Sequence, residues 1–252
     1  AMVKAGNFED NLAWLAGVYL VIEAVIENMK IKQELFAKVE KVVKPHCIVA
    51  SNTSGIRIGE ISASLGKSVK ERFLGIHFFN PPRYMKLVEI IPGEETKKEV
   101  IEYVSRFCED VLGKGVVICK DVPNFIANRI GVFDMSNAMS LMLAKGMKVE
   151  DIDAIISAPL GRPRSAIFGT IDLVGLDTAY HVMTNLYEAL PKDESRDLFM
   201  PPDFVKAMIQ KKWLGNKTKG GFYKKSKDAK GKKVKLAIDV KYFALNLIPG
   251  RE

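Results

Sequence analysis

The sequence has 252 residues, of which 48% are hydrophobic and 27% charged, so it can bury a core in one or two domains. The formal net charge is +8, but the positive charge is concentrated in residues 211–235 and elsewhere alternates with acids, so we expect no nucleic-acid partner. No apolar run is long enough to predict a membrane span, and the three cysteines lack metal-ligand spacing, which indicates buried thiols in the cytoplasm and no metal site.

The first half of the chain alternates strand-like and helix-like segments, as α/β folds do. An apolar run over 19–26, an amphipathic segment over 32–43 and a second apolar run over 47–50 predict one βαβ unit of a parallel sheet. The remaining predicted segments are a helix over 7–16, strands over 72–79 and 86–91 with Pro81-Pro82 between them, a helix over 96–112 and a strand over 115–119.

Polar residues follow the first two predicted strands. Glu27-Asn28 comes after the first strand, and Ser51 to Ser54 comes after the second. Because ligands of parallel sheets bind beyond the carboxyl ends of the strands, these residues should line one crevice.

The second half is predicted to be helical. Apolar spacing predicts a helix that begins at Pro123 and a long helix over 168–190 despite Gly175. Shorter helices are expected over 149–157 and 204–212. The lysine-rich segment after residue 224 is either a β-hairpin or a linker to a further domain.

Ser54, His77 and Glu89 are side chains that can take part in acid–base chemistry. A histidine whose second ring nitrogen is held by a carboxylate can remove a proton from an alcohol. The carboxylate fixes the tautomer and stabilises the imidazolium that forms. Spacing alone is a weak signal, because a histidine beside a strand is more often structural.

Four motifs occur in a fixed order: SNTS at 51–54, HFFNP at 77–81, MKLVE at 85–89 and CKDVPNFIANR at 119–129. Together they closely resemble the 3-hydroxyacyl-CoA dehydrogenase family. Three further matches, GRP at 161–163, DLVGLD at 172–177 and GNKTKGGFY at 215–223, extend the resemblance to about residue 224.

The resemblance implies a fold and a reaction. The expected fold is a partial Rossmann-type α/β domain over 1–120, an all-α substrate and dimerisation domain over 121–224, and a basic tail or linker over 225–252. The expected reaction is NAD-dependent oxidation of 3-hydroxyacyl-CoA to 3-ketoacyl-CoA in fatty-acid β-oxidation. The resemblance also implies a homodimer, and an enoyl-CoA hydratase domain in a longer protein.

Catalytic roles are implied for four residues. His77 matches the general base of the family, and Glu89 matches its carboxylate partner. Ser54 matches a serine that contacts both the substrate hydroxyl and the nicotinamide, although it could also cap a helix before Ile56. Asn128 matches a residue that binds the substrate oxygen, where negative charge develops on reduction.

Three further residues, Glu27, Lys32 and Asn80, match positions that contact the cofactor. At Asn124 the chain departs from the glycine of the family's D-x-P-G-F pattern. Asparagine tolerates a positive φ better than most residues, so we expect the turn to be kept.

The Gly-rich G-x-G-x-x-G turn of dinucleotide sites is missing after the first strand, since residues 1–17 contain only Gly6 and Gly17. We therefore expect the chain to lack the N-terminal Gly-rich half of the Rossmann domain. Three hypotheses remain open: a truncated dehydrogenase, a non-catalytic fragment that binds acyl-CoA or dimerises without a usable NAD site, and a dehydrogenase of short-chain hydroxy acids with the same architecture.

Overall fold

The computed structural model describes residues 3–228, 230–242 and 244–247. The chain divides into two compact units, Ala1–Asn128 and Arg129–Glu252. This division lies C-terminal to the boundary predicted near residue 120. Within the described ranges, each helix is too short or too polar to cross a bilayer.

The first unit is built on a five-stranded sheet with the order β1-β2-β3-β4-β5. Neighbouring strands pair in parallel, except for β3 and β4, which are antiparallel. The predicted βαβ unit and the Rossmann-type fold class are therefore confirmed. The strands are β1 (Leu20–Glu23), β2 (Ile48–Ser51), β3 (Phe73–Phe78), β4 (Leu87–Pro92) and β5 (Gly115–Ile118).

Helices cover both faces of this sheet. Successive residues of β2 point to opposite sides, so Val49 packs in one cluster with Phe36, whereas Ala50 packs in another with Val104. The helices are α1 (Met29–Glu40), α2 (Ile58–Ile61), α3 (Lys67–Lys70) and α4 (Lys98–Arg106), which continues as a π-helix over Phe107–Val111.

The N-terminal helix predicted over 7–16 is wrong, because the chain forms only a 3-10 helix over Leu12–Gly17. The side-chain oxygen Oδ1 of Asn7 accepts hydrogen bonds from the backbone N–H groups of Glu9 (2.9 Å) and Asp10 (2.7 Å). Such local side-chain bonds compete with helical ones. Strand β1 also ends earlier than predicted, since the Glu23 carboxylate accepts a bond from the N–H of Val25 and the chain turns there.

The second unit combines helices with a small antiparallel sheet. Its core includes Met139, Phe168, Met183 and Phe222, all fully buried. The helices are α5 (Ala127–Lys145), α6 (Val149–Ile155), α7 (Phe168–Val174), α8 (Leu176–Ala189) and α9 (Asp203–Gln210). The sheet consists of β6 (Tyr223–Lys227), β7 (Lys233–Asp239) and β8 (Ala244–Leu247).

The lysine-rich segment after residue 224 forms the β-hairpin that was one of its two predicted alternatives. Strands β6 and β7 pair in antiparallel fashion, and β8 adds a third strand. Ala237 and Ile238 of β7 are buried in the core cluster of the second unit, which anchors the hairpin to the helices. Residues 229, 243 and 248–252 of the predicted tail lie outside the described residues.

Two predicted helix boundaries are wrong for the same reason, which is backbone with positive φ. Gly175 has φ 108°, and it separates α7 from α8 where one helix was expected. Asn124 and Phe125 have φ values of 59° and 51°, so α5 begins at Ala127 and not at Pro123. The positive φ of Asn124 confirms that this residue keeps the predicted turn.

Candidate active site

The side chains of His77 and Glu89 meet because their strands pair in antiparallel register. His77 lies near the end of β3 and is directly opposite Glu89 on β4, so both side chains are on the same face. The Nδ1 atom of His77 lies 2.8 Å from Oε2 of Glu89, and the two side chains are only 4% and 1% exposed. The predicted pairing of these two residues is thus present in the structure.

Glu89 is held in its charged form. Burial by itself would raise the pKa of Glu89, but hydrogen bonds from His77 and from the backbone of Ala127 and Ile126 outweigh it and lower the pKa. The two backbone N–H groups donate to Oε1 at 2.7 and 3.1 Å, and His77 occupies Oε2. A fixed carboxylate of this kind orients the imidazole, with Nδ1 as the donor and Nε2 as the free acceptor.

The surroundings of the pair are apolar. The ring of Phe79 lies 4.4 Å from the His77 ring, and that of Phe125 lies 5.8 Å away. Burial, followed by the charge of Glu89, raises the pKa of the Cys119 thiol to about 12. The thiol therefore stays neutral and adds no competing charge.

Ser54 and Asn128 are brought together in this unit. The Asn128 amide donates to the backbone oxygen of Ser54 at 3.0 Å. The Ser54 hydroxyl is exposed and has no hydrogen-bond partner among the described residues. It is Thr53, and not Ser54, that accepts from the N–H of Ile56 at 3.1 Å, so the capping role considered for Ser54 falls to its neighbour.

Glu27 organises the loop that carries Ser54. Its Oε1 accepts from the Thr53 hydroxyl (2.6 Å) and from the backbone N–H groups of Ser54 (2.9 Å) and Gly55 (3.2 Å). Burial acts to raise the pKa of Glu27, but the hydrogen bond from Thr53 and the charge of Lys32 lower it. Glu27 and the 51–54 segment are therefore in contact beyond the ends of β1 and β2.

Lys32 is not exposed toward a ligand in this structure. It is 1% exposed, and its ammonium group lies 2.8 Å from Glu23 and 3.2 Å from Glu27. Glu23 in turn accepts from the Ser51 hydroxyl at 2.6 Å. Sequence reasoning missed Glu23 and Ser51, although a lone acid within the apolar run over 19–26 was a usable signal, because buried acids are almost always paired.

Asn80 is exposed at the end of β3, next to a cis peptide bond to Pro81. Asn52, which was also missed, accepts from the backbone N–H of Phe78 at 2.9 Å and so ties the end of β2 to the strand that carries His77. No group of three or more His, Cys, Asp or Glu side chains within the described ranges could hold a metal ion.

The polar groups at this edge of the sheet suit one part of a dinucleotide. The exposed Ser54 hydroxyl, the Asn80 amide and the Glu27 carboxylate offer hydrogen-bond donors and acceptors of the kind that a nicotinamide and its ribose require. The two carboxylates of Glu23 and Glu27 outnumber the one ammonium group of Lys32 between them, and this excess of negative charge disfavours a diphosphate at the same place. The described residues here thus fit the nicotinamide riboside of NAD, and not its diphosphate.

Comparison with known proteins shows the family of the chain. Residues 1–122 match the sequence model of "3-hydroxyacyl-CoA dehydrogenase, NAD binding domain", and residues 125–225 match that of "3-hydroxyacyl-CoA dehydrogenase, C-terminal domain". FadB2 of M. tuberculosis has a solved structure with a TM-score of 0.77 and 34% identity, covering 85% of this chain and 73% of its own. The chain belongs to the 3-hydroxyacyl-CoA dehydrogenase family.

Two family members named "Probable 3-hydroxyacyl-CoA dehydrogenase" are more similar in sequence. The protein from Bacillus subtilis is 45% identical over 223 residues, which are 88% of this chain but 28% of the relative. The protein from Deinococcus radiodurans is 43% identical over 231 residues, which are 92% of this chain and 66% of the relative. The chain thus spans less than two thirds of either relative.

The match to the NAD-binding domain of the family begins at residue 1. This contradicts the prediction that the Gly-rich N-terminal half of that domain is lacking. The 252 residues contain no G-x-G-x-x-G run, and that absence was the reason for the prediction. The absence of this one motif is therefore not sufficient to infer a missing half-domain.

Proposed function

We propose that this chain carries out the NAD-dependent oxidation of a 3-hydroxyacyl-CoA to the 3-ketoacyl-CoA, a step of fatty-acid β-oxidation. The observation that carries the proposal is the buried pair of His77 and Glu89, 2.8 Å apart in a 3-hydroxyacyl-CoA dehydrogenase chain. An alcohol can be oxidised only if its hydroxyl proton is taken up, and this pair is built to do so.

His77 is the general base in this proposal. With its Nδ1–H donated to Glu89, the Nε2 atom carries a free lone pair and has no hydrogen-bond partner among the described residues. Nε2 takes the proton of the substrate hydroxyl, and the charged Glu89 stabilises the imidazolium that results. In the reverse direction the imidazolium returns the proton to the carbonyl oxygen.

Ser54 and Asn128 bind the reacting oxygen. The Ser54 hydroxyl is free to bond to the substrate hydroxyl, and the Asn128 amide retains a second N–H and its carbonyl oxygen beside it. Donors placed near the oxygen stabilise the negative charge that develops there during reduction. Glu27 supports both residues indirectly, because it holds the 53–55 loop.

NAD, when bound, supplies the acceptor for the hydride that leaves C3 of the substrate. Glu27 and Asn80 are proposed to hold its nicotinamide riboside, together with Ser54. Lys32 is proposed to act through Glu27, since its ammonium group is enclosed by two carboxylates. NAD contacts of these residues are inferred from the family motifs and from their place at the sheet edge.

Further assignments are proposed for the whole protein. Residues 1–120 would bind NAD, and residues 121–224 would bind substrate and form a homodimer. An enoyl-CoA hydratase domain in a longer protein is compatible with the Bacillus relative, of which this chain spans 28%. A cytoplasmic location is supported by three free, buried cysteines.

The proposal is tested by replacing His77 with alanine. Turnover with a 3-hydroxyacyl-CoA and NAD should fall about 10²–10⁴-fold, while NADH affinity changes little, because a general base acts on the chemical step. His181→Ala is the matched control, since His181 is exposed on α8 and should keep full activity. Near-wild-type turnover of the His77 variant would refute the assignment.

A further inference from the structure

The second unit contains a cavity of 730 Å³ that the proposed reaction does not use. Its volume lies in the range of small-molecule sites. Four cationic side chains line it: Arg164, Lys219, Lys225 and Lys235. Ser165 and Asn216 also line the cavity and add a hydroxyl and an amide as neutral hydrogen-bonding groups.

Two of these lysines are directly opposite each other on neighbouring strands. Lys225 of β6 pairs with Lys235 of β7, and the next pair on that face is Lys227 with Lys233. Like charges in opposite positions of an antiparallel pair destabilise the sheet. The ammonium group of Lys235 also lies 3.5 Å from the ring centroid of Tyr223, a residue of the cavity wall. The hairpin thus places positive charge at the cavity, although this arrangement makes the hairpin itself less stable.

The cavity also contains two buried carboxylates, but these are committed to the fold. The oxygens of Asp153 accept from the N–H groups of residues 167, 168 and 169 and from the Tyr223 hydroxyl. Those of Asp172 accept from the N–H groups of residues 222 and 223. Within the described ranges, Arg164, Lys219 and Lys225 form no ion pair with an acidic side chain. Positive charge therefore remains in excess.

We propose that this cavity is a binding site for a small anion that contains a diphosphate group. Several cations around one concave space favour a multivalent anion, and hydroxyl and amide donors suit phosphate oxygens. The diphosphate could be inorganic or part of a nucleotide, and both share this chemistry. The site is independent of His77 and Glu89, so it stands whether or not the proposed reaction is correct.

The test is isothermal titration of the full chain with inorganic diphosphate at low salt. Wild-type protein should bind it, and Lys225→Gln should weaken binding at least tenfold. Lys224→Gln is the matched control, because Lys224 lies on the same strand but pairs with Leu236 on the opposite face and does not line the cavity. Its affinity should change less than twofold.

Thermal unfolding without ligand separates binding from folding. Lys225→Gln should unfold at the same or a higher temperature than wild type, since it removes a like-charge pair. A parallel titration with ADP distinguishes the two sources of the diphosphate. If ADP binds more tightly than inorganic diphosphate and Lys225→Gln abolishes this binding, the ligand is a nucleotide. If ADP and inorganic diphosphate bind equally, the ligand is free diphosphate. Absence of diphosphate binding at millimolar concentration, or equal weakening by both substitutions, would overturn the proposal.

Discussion

At the scale of single residues, the candidate active site depends on buried charges that satisfy one another. Lys32 lies between the carboxylates of Glu23 and Glu27, and Glu27 in turn holds the loop that carries Ser54. Glu23 and Lys32 are almost completely buried. A buried charge that loses its partner is costly, so this pair makes the position of Ser54 sensitive to a residue that does not touch it.

Replacing Glu23 with glutamine should therefore lower the free energy of unfolding by about 3–5 kcal/mol, because Lys32 loses a buried counter-charge. Urea unfolding measures this change. The control is Glu34→Gln, whose ion pair with Lys30 is exposed and 3.9 Å long, and which should change stability by less than about 0.5 kcal/mol. If Glu23→Gln were as mild as the control, the pair would not be a structural element of the site.

At the scale of secondary-structure elements, a glycine decides where α7 ends and α8 begins. Gly175 has φ 108°, which L side chains rarely adopt, and a Cβ there would lie 2.8 Å from atoms of both Asp177 and Lys217. The N–H of Leu176 then bonds to the backbone oxygen of Leu214 at 3.1 Å, so the break also joins α8 to the segment before β6.

Gly175→Ala should destabilise the protein by about 1–3 kcal/mol, because a non-glycine residue at this φ is strained. Gly131→Ala is the contrasting control: Gly131 lies within α5, and its added Cβ would meet nothing within 4 Å. That substitution should stabilise the protein by about 0.5–1 kcal/mol. Thermal and urea unfolding should show that the free energy of unfolding falls for Gly175→Ala and rises for Gly131→Ala. A change in the same direction for both variants would contradict the explanation.

Asp172 of α7, which is hydrogen-bonded to the start of β6, predicts that the stability of the protein depends on pH. Burial raises the pKa of Asp172 to about 6, against an ordinary value of 3.8 and against hydrogen bonds from Phe222 and Tyr223 that lower it. The carboxyl group of Asp172 therefore binds its proton more tightly in the folded state than in the unfolded state. The contribution of Asp172 to stability should be largest below about pH 4 and should fall by about 3 kcal/mol as the pH rises through 6.

Urea unfolding of wild type and Asp172→Asn across this pH range measures that contribution. The variant should gain stability relative to wild type as the pH rises. Asp177→Asn should show the opposite trend, because the hydrogen bond from Lys217 lowers the pKa of Asp177, so its contribution is lost as the pH falls. A stability difference for Asp172→Asn that does not vary with pH would contradict the prediction.

At the scale of the whole molecule, the predicted homodimer has a surface to support it. Three apolar side chains on one face of α5 remain exposed: Ile130 at 62%, Phe133 at 39% and Leu141 at 46%. Phe133 and Leu141 follow Ile130 by 3 and 11 residues, which is close to one and three helical turns, so the three side chains form one stripe. The opposite side of α5 is buried in the core of the second unit through Met139 and Met142.

Light scattering should therefore give a mass of about twice 28.1 kDa for the chain. The double substitution Ile130→Lys with Leu141→Lys should shift the protein to monomers, because charge on an apolar interface is costly to bury. Val111→Lys is the control, since Val111 is 69% exposed and belongs to the π-helix of the first unit. A monomeric wild-type chain would refute the dimer.

Several features were determined by the sequence alone. The alternation of apolar runs and amphipathic segments predicted the βαβ unit, and the motifs around Ser54, His77 and Glu89 identified the family. The pairing of His77 with Glu89 was also predictable, because it depends on the motifs and on two adjacent strands. These are local signals, and local periodicity and exact residue order are what a sequence records directly.

Other features were decided only by the tertiary structure. The charges of Glu23 and Lys32 are partners because α1 packs against the sheet, and no local pattern shows which acid a buried lysine will meet. The break at Gly175 depends on its contact with residues near 214, and the lysines of β6 and β7 face one cavity because of their register. Contacts between residues far apart in the chain are set by packing, and packing is a property of the whole fold.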